Sequence, residues 1–164
     1  MKPTGVVAGA VLRAARLSAS LSEEQLASGT GVSEATIRSW EDGSEALASV
    51  PAPQIDQLKA ALRMASADPR LVADLDAAAW CDLIILAMVD SEDASCLLAD
   101  PLAREEAFGE LLAWAIAGDV PARHRPYAGQ GPLLPAADIV AIVGTAQAVL
   151  LHNPCPSDTS GTSF

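Results

Sequence analysis

Cysteine, histidine, lysine and the aromatic residues are scarce in this chain, and each shortage closes a line of chemistry. The three cysteines, Cys81, Cys96 and Cys155, are odd in number and unevenly spaced. They offer neither a disulfide framework nor a zinc site and read as reduced thiols. His124 and His152 stand far apart. Only His152-x-x-Cys155 resembles half of a metal site, so no metal or other cofactor is expected. No glycine loop follows a strand to cradle phosphate, and Asp74, Asp76 and Asp82 read as the solvated edge of one helix rather than a paired-acid site. An enzyme is not expected. With aromatics at 4% and hydrophobic residues at 51%, the interior must be built from Ala, Leu, Val and Ile, which suits closely packed helices. The expected class is all-α.

Positive charge is also short. The net charge is -11, which excludes an indiscriminate nucleic-acid binder. The imbalance is local. Residues 1 to 65 hold six Lys or Arg against seven acids, whereas the other 99 residues hold four Arg against fourteen acids. The N-terminal part is therefore close to neutral and the acidity belongs to the rest. Eight Arg against two Lys, with abundant Ala, is the composition of a GC-rich bacterial genome. The start MKPTGVVAGAVLRAAR passes directly into a charged amphipathic helix, and the apolar run from Leu71 to Val89 is broken by three Asp. Neither a signal peptide nor a membrane span is expected, and the expected location is cytoplasmic.

What the chain does have is a stretch from Leu21 to Gly43, LSEEQLASGTGVSEATIRSWEDG, in which two helix starts flank a turn. Ser22 precedes Glu23, Glu24 and Gln25, and Ser33 precedes Glu34. Both are Ser caps with acids in the first turn. Gly31 sits in the turn, where a left-handed backbone costs a residue with a Cβ about 1 kcal/mol or more. Leu26, Val32, Ile37 and Trp40 are the inward positions, and Ala27 is small where the helices cross. This spacing predicts a helix-turn-helix, with helices over about 22–29 and 33–41.

Leu12-Arg13-x-x-Arg16, Leu21-Ser22-x-x-x-Leu26-Ala27, Gly31-Val32-Ser33 and Ile37-x-x-Trp40-Glu41-x-Gly43, followed by Pro51 and the helix through Leu58 and Leu62, resemble the Xre family of Cro and phage-repressor-like domains. The resemblance covers residues 6 to 65. It implies a four- or five-helix DNA-binding domain whose third helix lies in the major groove. By match to the family, Glu34, Ala35 and Ser39 occupy base-reading positions, Ser22, Ser33 and Thr36 would meet phosphate, and Arg38 would take phosphate or guanine. Glu34 reads equally well as a simple capping residue. Where relatives often carry a phosphate-binding Gln, this chain has Glu23, which would repel phosphate. Arg16 reads either as a solvated charge or as the partner of Glu41; the resemblance implies the structural ion pair.

Around that motif, helix 1 is expected over 6–19, with Val7, Val11, Leu12 and Ala15 inward. A short turn is expected near Leu47 and Val50, and a helix over about 54–65 with Ile55, Leu58 and Leu62 at core spacing. Asp68-Pro69 marks a boundary and opens a helix to about Val89, buried on two sides. A helix over 92–99 capped by Ser91, a third from Asp100-Pro101 to Ala117, and a final apolar helix over 136–151 complete a C-terminal bundle. Residues 119 to 135, with four Pro and two Gly, form a loop whose Arg123, His124, Arg125 and Tyr127 neutralise nearby acids or, less favoured, make a nucleic-acid arm. The final helix must be covered, either as the centre of the bundle or by its twin in a dimer.

The expected organisation is a DNA-binding domain over 1–66, a helical dimerisation or regulatory domain over 67–152, and a disordered tail over 153–164. The expected function is a sequence-specific transcriptional regulator that binds double-stranded DNA as a homodimer, with a protein partner or small ligand conceivable at the C-terminal domain. The rival is a protein-interaction module, adaptor or antitoxin-like, that keeps the fold and uses its acidic half to hold a partner. A regulator needs Arg13, Arg38 and Lys59 or Arg63 around helix 3.

Overall fold

A computed structural model describes residues 5–90 and 105–152, apart from the side chains of residues 146 and 148–152. The described residues form α1 (Val6–Ser18), α2 (Glu23–Thr30), α3 (Glu34–Glu41), a 3-10 turn (Leu47–Ser49), α4 (Ala52–Met64), α5 (Pro69–Val89), α6 (Glu106–Ala117) and α7 (Ala136–His152), with no strand among them. The class is all-α. The helix read over 92–99 with its Ser91 cap, Cys96, Leu102, Arg104 and the tail from Asn153 with Cys155 lie outside the described residues. The helix that reaches Ala117 starts at Glu106, after Glu105 in an extended conformation at φ -69° and ψ 142°; Asp100-Pro101, read as its opening, lies outside the described residues.

The first helices follow the apolar spacing of the sequence. Val7, Val11, Leu12 and Ala15 of α1 are buried together with Leu26, Ile37, Trp40, Leu58 and Leu62. Met64, one step off that spacing on α4, is exposed. Close approach of α1 to the end of α3 depends on Gly9. A Cβ there would stand 2.5 Å from the carbonyl oxygens of Trp40 and Glu41, inside any real contact distance.

α5 occupies the middle of the fold, packing on α1, α4, the 3-10 turn, α6 and α7. Burial runs around it, through Leu71, Val72, Leu75, Ala78, Cys81, Ile84 and Ile85, and one hydrophobic cluster extends from α1 to Ile142 of α7. The core passes residue 66 without a break. One expectation about α5 is overturned: Asp74 and Asp82 are buried rather than solvated, whereas Asp76 is exposed. Asp74 and Asp82 stand three and four residues from apolar neighbours such as Leu71 and Ala78, which puts both on the inward face.

Asp82 does for α1 what no local residue does. The cap position Gly5 offers no side chain, and the Val7 and Ala8 amides donate instead to Asp82 Oδ1 and Oδ2, each at 2.9 Å. The carboxyl satisfies two of the amides a helix start leaves unpaired. Burial pushes Asp82 up to about 7, against the pull of these two donors. α7 is the exception to tight packing. Ile142 is buried, but Val140 is 71% and Val143 45% exposed, so the single chain covers only part of this apolar helix. Among the described residues no helix is long and apolar enough to cross a membrane.

Candidate nucleic-acid interface

Each helix of the α2–turn–α3 unit is started by a serine. Ser22 Oγ accepts from the Gln25 amide at 3.1 Å while Gln25 Oε1 accepts from the Ser22 amide at 2.8 Å, a reciprocal box. Ser33 Oγ accepts from the Thr36 amide at 3.1 Å and bonds Thr36 Oγ1 at 2.8 Å. α2 ends on Gly31 in the left-handed region at φ 72°, which turns the chain into α3. These bonds occupy acceptor sites of the serines. Ser22 keeps its O–H to donate elsewhere.

Ile37 and Trp40 of α3 are buried, so the opposite face is left outward. Ala35 and Arg38 are exposed, and Glu34, Thr36 and Ser39 are half-buried. Ser39 Oγ donates to the Thr36 carbonyl of its own helix at 2.9 Å. Arg38 is held between two carboxylates: Nε bonds Glu23 Oε2 at 2.6 Å, and Nη2 bonds Glu34 one turn earlier. The Glu23 bond is the main reason the Arg38 guanidinium is held more firmly protonated than usual.

Arg16 and Glu41 meet in a bidentate pair, Nε to Oε1 at 2.6 Å and Nη2 to Oε2 at 2.9 Å, both side chains nearly buried. Arg16 Nη1 also donates to the Leu21 carbonyl at 2.9 Å. One guanidinium thus ties α1 to the start of the α2 segment and the end of α3. The Glu41 bond raises the Arg16 pKa and outweighs the opposing effect of burial. Of the other cations, Lys59 is engaged with both oxygens of Asp76 at 2.7 Å. Arg13 and Arg63 are exposed and make no ion pair among the described residues. Between Leu21 and Glu45 there are six acids and one Arg, so the unit is acidic although residues 1 to 65 are near neutral.

A second polar cluster joins the basic 119–135 loop, expected to neutralise nearby acids, to Asp74, read from the sequence as solvated. His124 is fully buried, with Nε2 2.8 Å from Asp74 Oδ2 and its ring 5.2 Å from that of Trp114. Arg123 Nε donates to the same Asp74 oxygen at 2.6 Å and its Nη1 to Glu110. Burial pushes Asp74 upward, but the bonds from His124 and Arg123 outweigh it and hold the carboxyl below its ordinary range. The cluster pins the 119–135 loop onto α5. His124 has no exposed surface, and its ring packs inside the fold with Asp74 as its acceptor or donor partner. Its signal was present as Asp74 on the apolar stripe facing a basic loop. Among the described residues no group of three or more His, Cys, Asp or Glu lies together in a way that could hold a metal ion. No family model, curated protein or solved structure matches the chain.

Proposed function

We propose that this chain is a sequence-specific, DNA-binding transcriptional regulator of the repressor-like helix-turn-helix kind, in which the stretch 33–41 reads the major groove. The carrying observation is the outward face of α3: Ile37 and Trp40 are buried while Ala35 and Arg38 stand exposed on a helix fixed by the Ser33 cap and the Arg16–Glu41 pair. Such a helix offers short side chains for close approach and one guanidinium for guanine or phosphate. Holding Arg38 between Glu23 and Glu34 does not remove it. The Arg38 side chain is 60% exposed, and exposed pairs contribute only about 0–1 kcal/mol, so exchange for phosphate costs little. A two-fold dimer would set two such helices roughly 34 Å apart on a palindromic operator. Action is by occupancy, without chemistry.

A second reading rests on the charge of the same unit. Six acids against one Arg between Leu21 and Glu45 repel a phosphate backbone and suit a basic protein partner instead. Selection from a random double-stranded DNA library at about 0.15 M salt, where the phosphate term is already screened, decides between them. A regulator enriches a palindrome that Arg38→Ala and Ser39→Ala lose or alter. Absence of enrichment at every salt concentration overturns the DNA reading in favour of the partner.

A further inference from the structure

Where the end of α3 approaches α6 and the 119–135 loop, a cleft of about 380 Å³ opens between Ala10 and Arg13 of α1, Glu41 and Asp42 closing α3, Trp114 of α6, and Tyr127. Its size is within the range of small-molecule sites. We propose that this cleft binds a small zwitterion with an apolar body, of the type of an aromatic α-amino acid.

The charges lining it define that class. Both Glu41 oxygens are taken by Arg16, which leaves this pair neutral. Asp42 Oδ1 accepts from the Ser44 amide and hydroxyl, but the residue is exposed, and no cation pairs with it among the described residues. Arg13 is likewise exposed and, among the described residues, without an ion pair. One uncompensated cation and one uncompensated anion therefore share a cleft whose remaining walls are aliphatic and aromatic. A ligand carrying a carboxylate, an ammonium and a ring meets all three features, whereas a simple anion meets Asp42 unfavourably and a simple cation meets Arg13 unfavourably. Trp114, 2% exposed, borders the cleft, so an occupant alters the surroundings of its indole.

Glu41 and Asp42 are the last residue and the closing cap of α3, so an occupant would tie the 119–135 loop to the helix assigned to DNA. That regulatory step rests on the DNA reading; the binding step does not. The test follows the three tryptophan indole N–H signals of the ¹⁵N-labelled full chain, assigned by Trp→Phe variants, during titration with L-phenylalanine, 3-phenylpropanoate and phenethylamine. Expected is a saturable shift of the Trp114 signal with L-phenylalanine, at least tenfold weaker binding of the two single-charge probes, and at least tenfold weakening by Arg13→Gln and by Asp42→Asn. Arg63→Gln serves as the neutral control. No saturable shift with any probe, equal binding of 3-phenylpropanoate, or indifference to both cleft variants overturns the proposal. Once a DNA site is selected, L-phenylalanine is expected to change its affinity in the wild type and not in Arg13→Gln. Failure of the DNA selection leaves the binding result standing by itself.

Discussion

The α2–turn–α3 unit and the surroundings of α5 are held by opposite means. In the unit, the bonds that start the helices join near neighbours, Ser22 to Gln25 and Ser33 to Thr36, and exposed Arg38 reaches Glu34 one turn away and Glu23 fifteen residues away; the buried Arg16–Glu41 pair is a long-range tie to α1. Around α5, the bonds span the chain, Asp82 reaching amides 74 and 75 residues away and Asp74 reaching side chains 49 and 50 residues away. Local ties are exposed and individually weak, so the face of α3 can exchange partners without disturbing the fold. Long-range ties are buried, and losing one partner strands the other without water. The molecule thus keeps its adaptable contacts at the candidate interface and its rigid ones in the middle.

The sharpest way to break this contrast is Asp74→Ala, which leaves His124 without its acceptor and Arg123 with Glu110 alone. A loss of about 3–5 kcal/mol is expected in urea unfolding monitored by tryptophan fluorescence. Next in size is Asp82→Ala, expected to cost about 2–4 kcal/mol at pH 6 because two buried amides lose their acceptors. Asp82→Asn keeps one amide oxygen and should cost less.

The two aspartates should also part company with pH. Asp82 is raised from 3.8 to about 7 in the folded chain, so above the ordinary range the unfolded chain has released a proton that the folded chain retains. Its contribution is full below the ordinary carboxylate range and is lost as pH rises through about 7, with a slope of at most about 1.4 kcal/mol per pH unit. Asp74 is lowered, so its contribution is present above the ordinary range and lost as pH falls through its depressed value. Unfolding free energies measured from pH 4.5 to 8 should show the Asp82 slope in the wild type and lack it in Asp82→Asn.

Smaller effects belong to the local unit. Ser22→Ala and Ser33→Ala are each expected to cost about 1 kcal/mol, visible as a modest drop in thermal midpoint. Smallest is Arg38→Ala, expected to leave the thermal midpoint essentially unchanged, since its pairs are exposed. A large loss of stability for Arg38→Ala would erase the distinction between the two regions.

The α2–turn–α3 geometry was readable because caps and turns are encoded within four residues: a Ser before acids starts a helix, and a Gly allows the left-handed bend that ends one. The apolar stripe of α1 was readable for the same reason, with period standing for burial. Asp74 and Asp82 were misread because their charge was weighed above their place on an apolar stripe, and nothing near them in sequence names a partner. Gly9 carried no signal, since the carbonyls it must clear belong to Trp40 and Glu41. α7 was expected to be covered by the bundle or by its twin because it is apolar on nearly every face; the single chain covers Ile142 and leaves Val140 and Val143 open.

The all-helical class, the two serine caps, the Gly31 turn and the inward face of α3 are written in short stretches of residues, because hydrogen bonding and helical period over a few positions suffice for them. Packing alone makes α5 the central helix, sets Asp82 on the start of α1, ties the loop to Asp74 through Arg123 and His124, and brings Arg13, Asp42 and Trp114 to one cleft. Those juxtapositions depend on how helices cross, and a side chain meets a distant partner only once packing has brought their segments within about 3 Å.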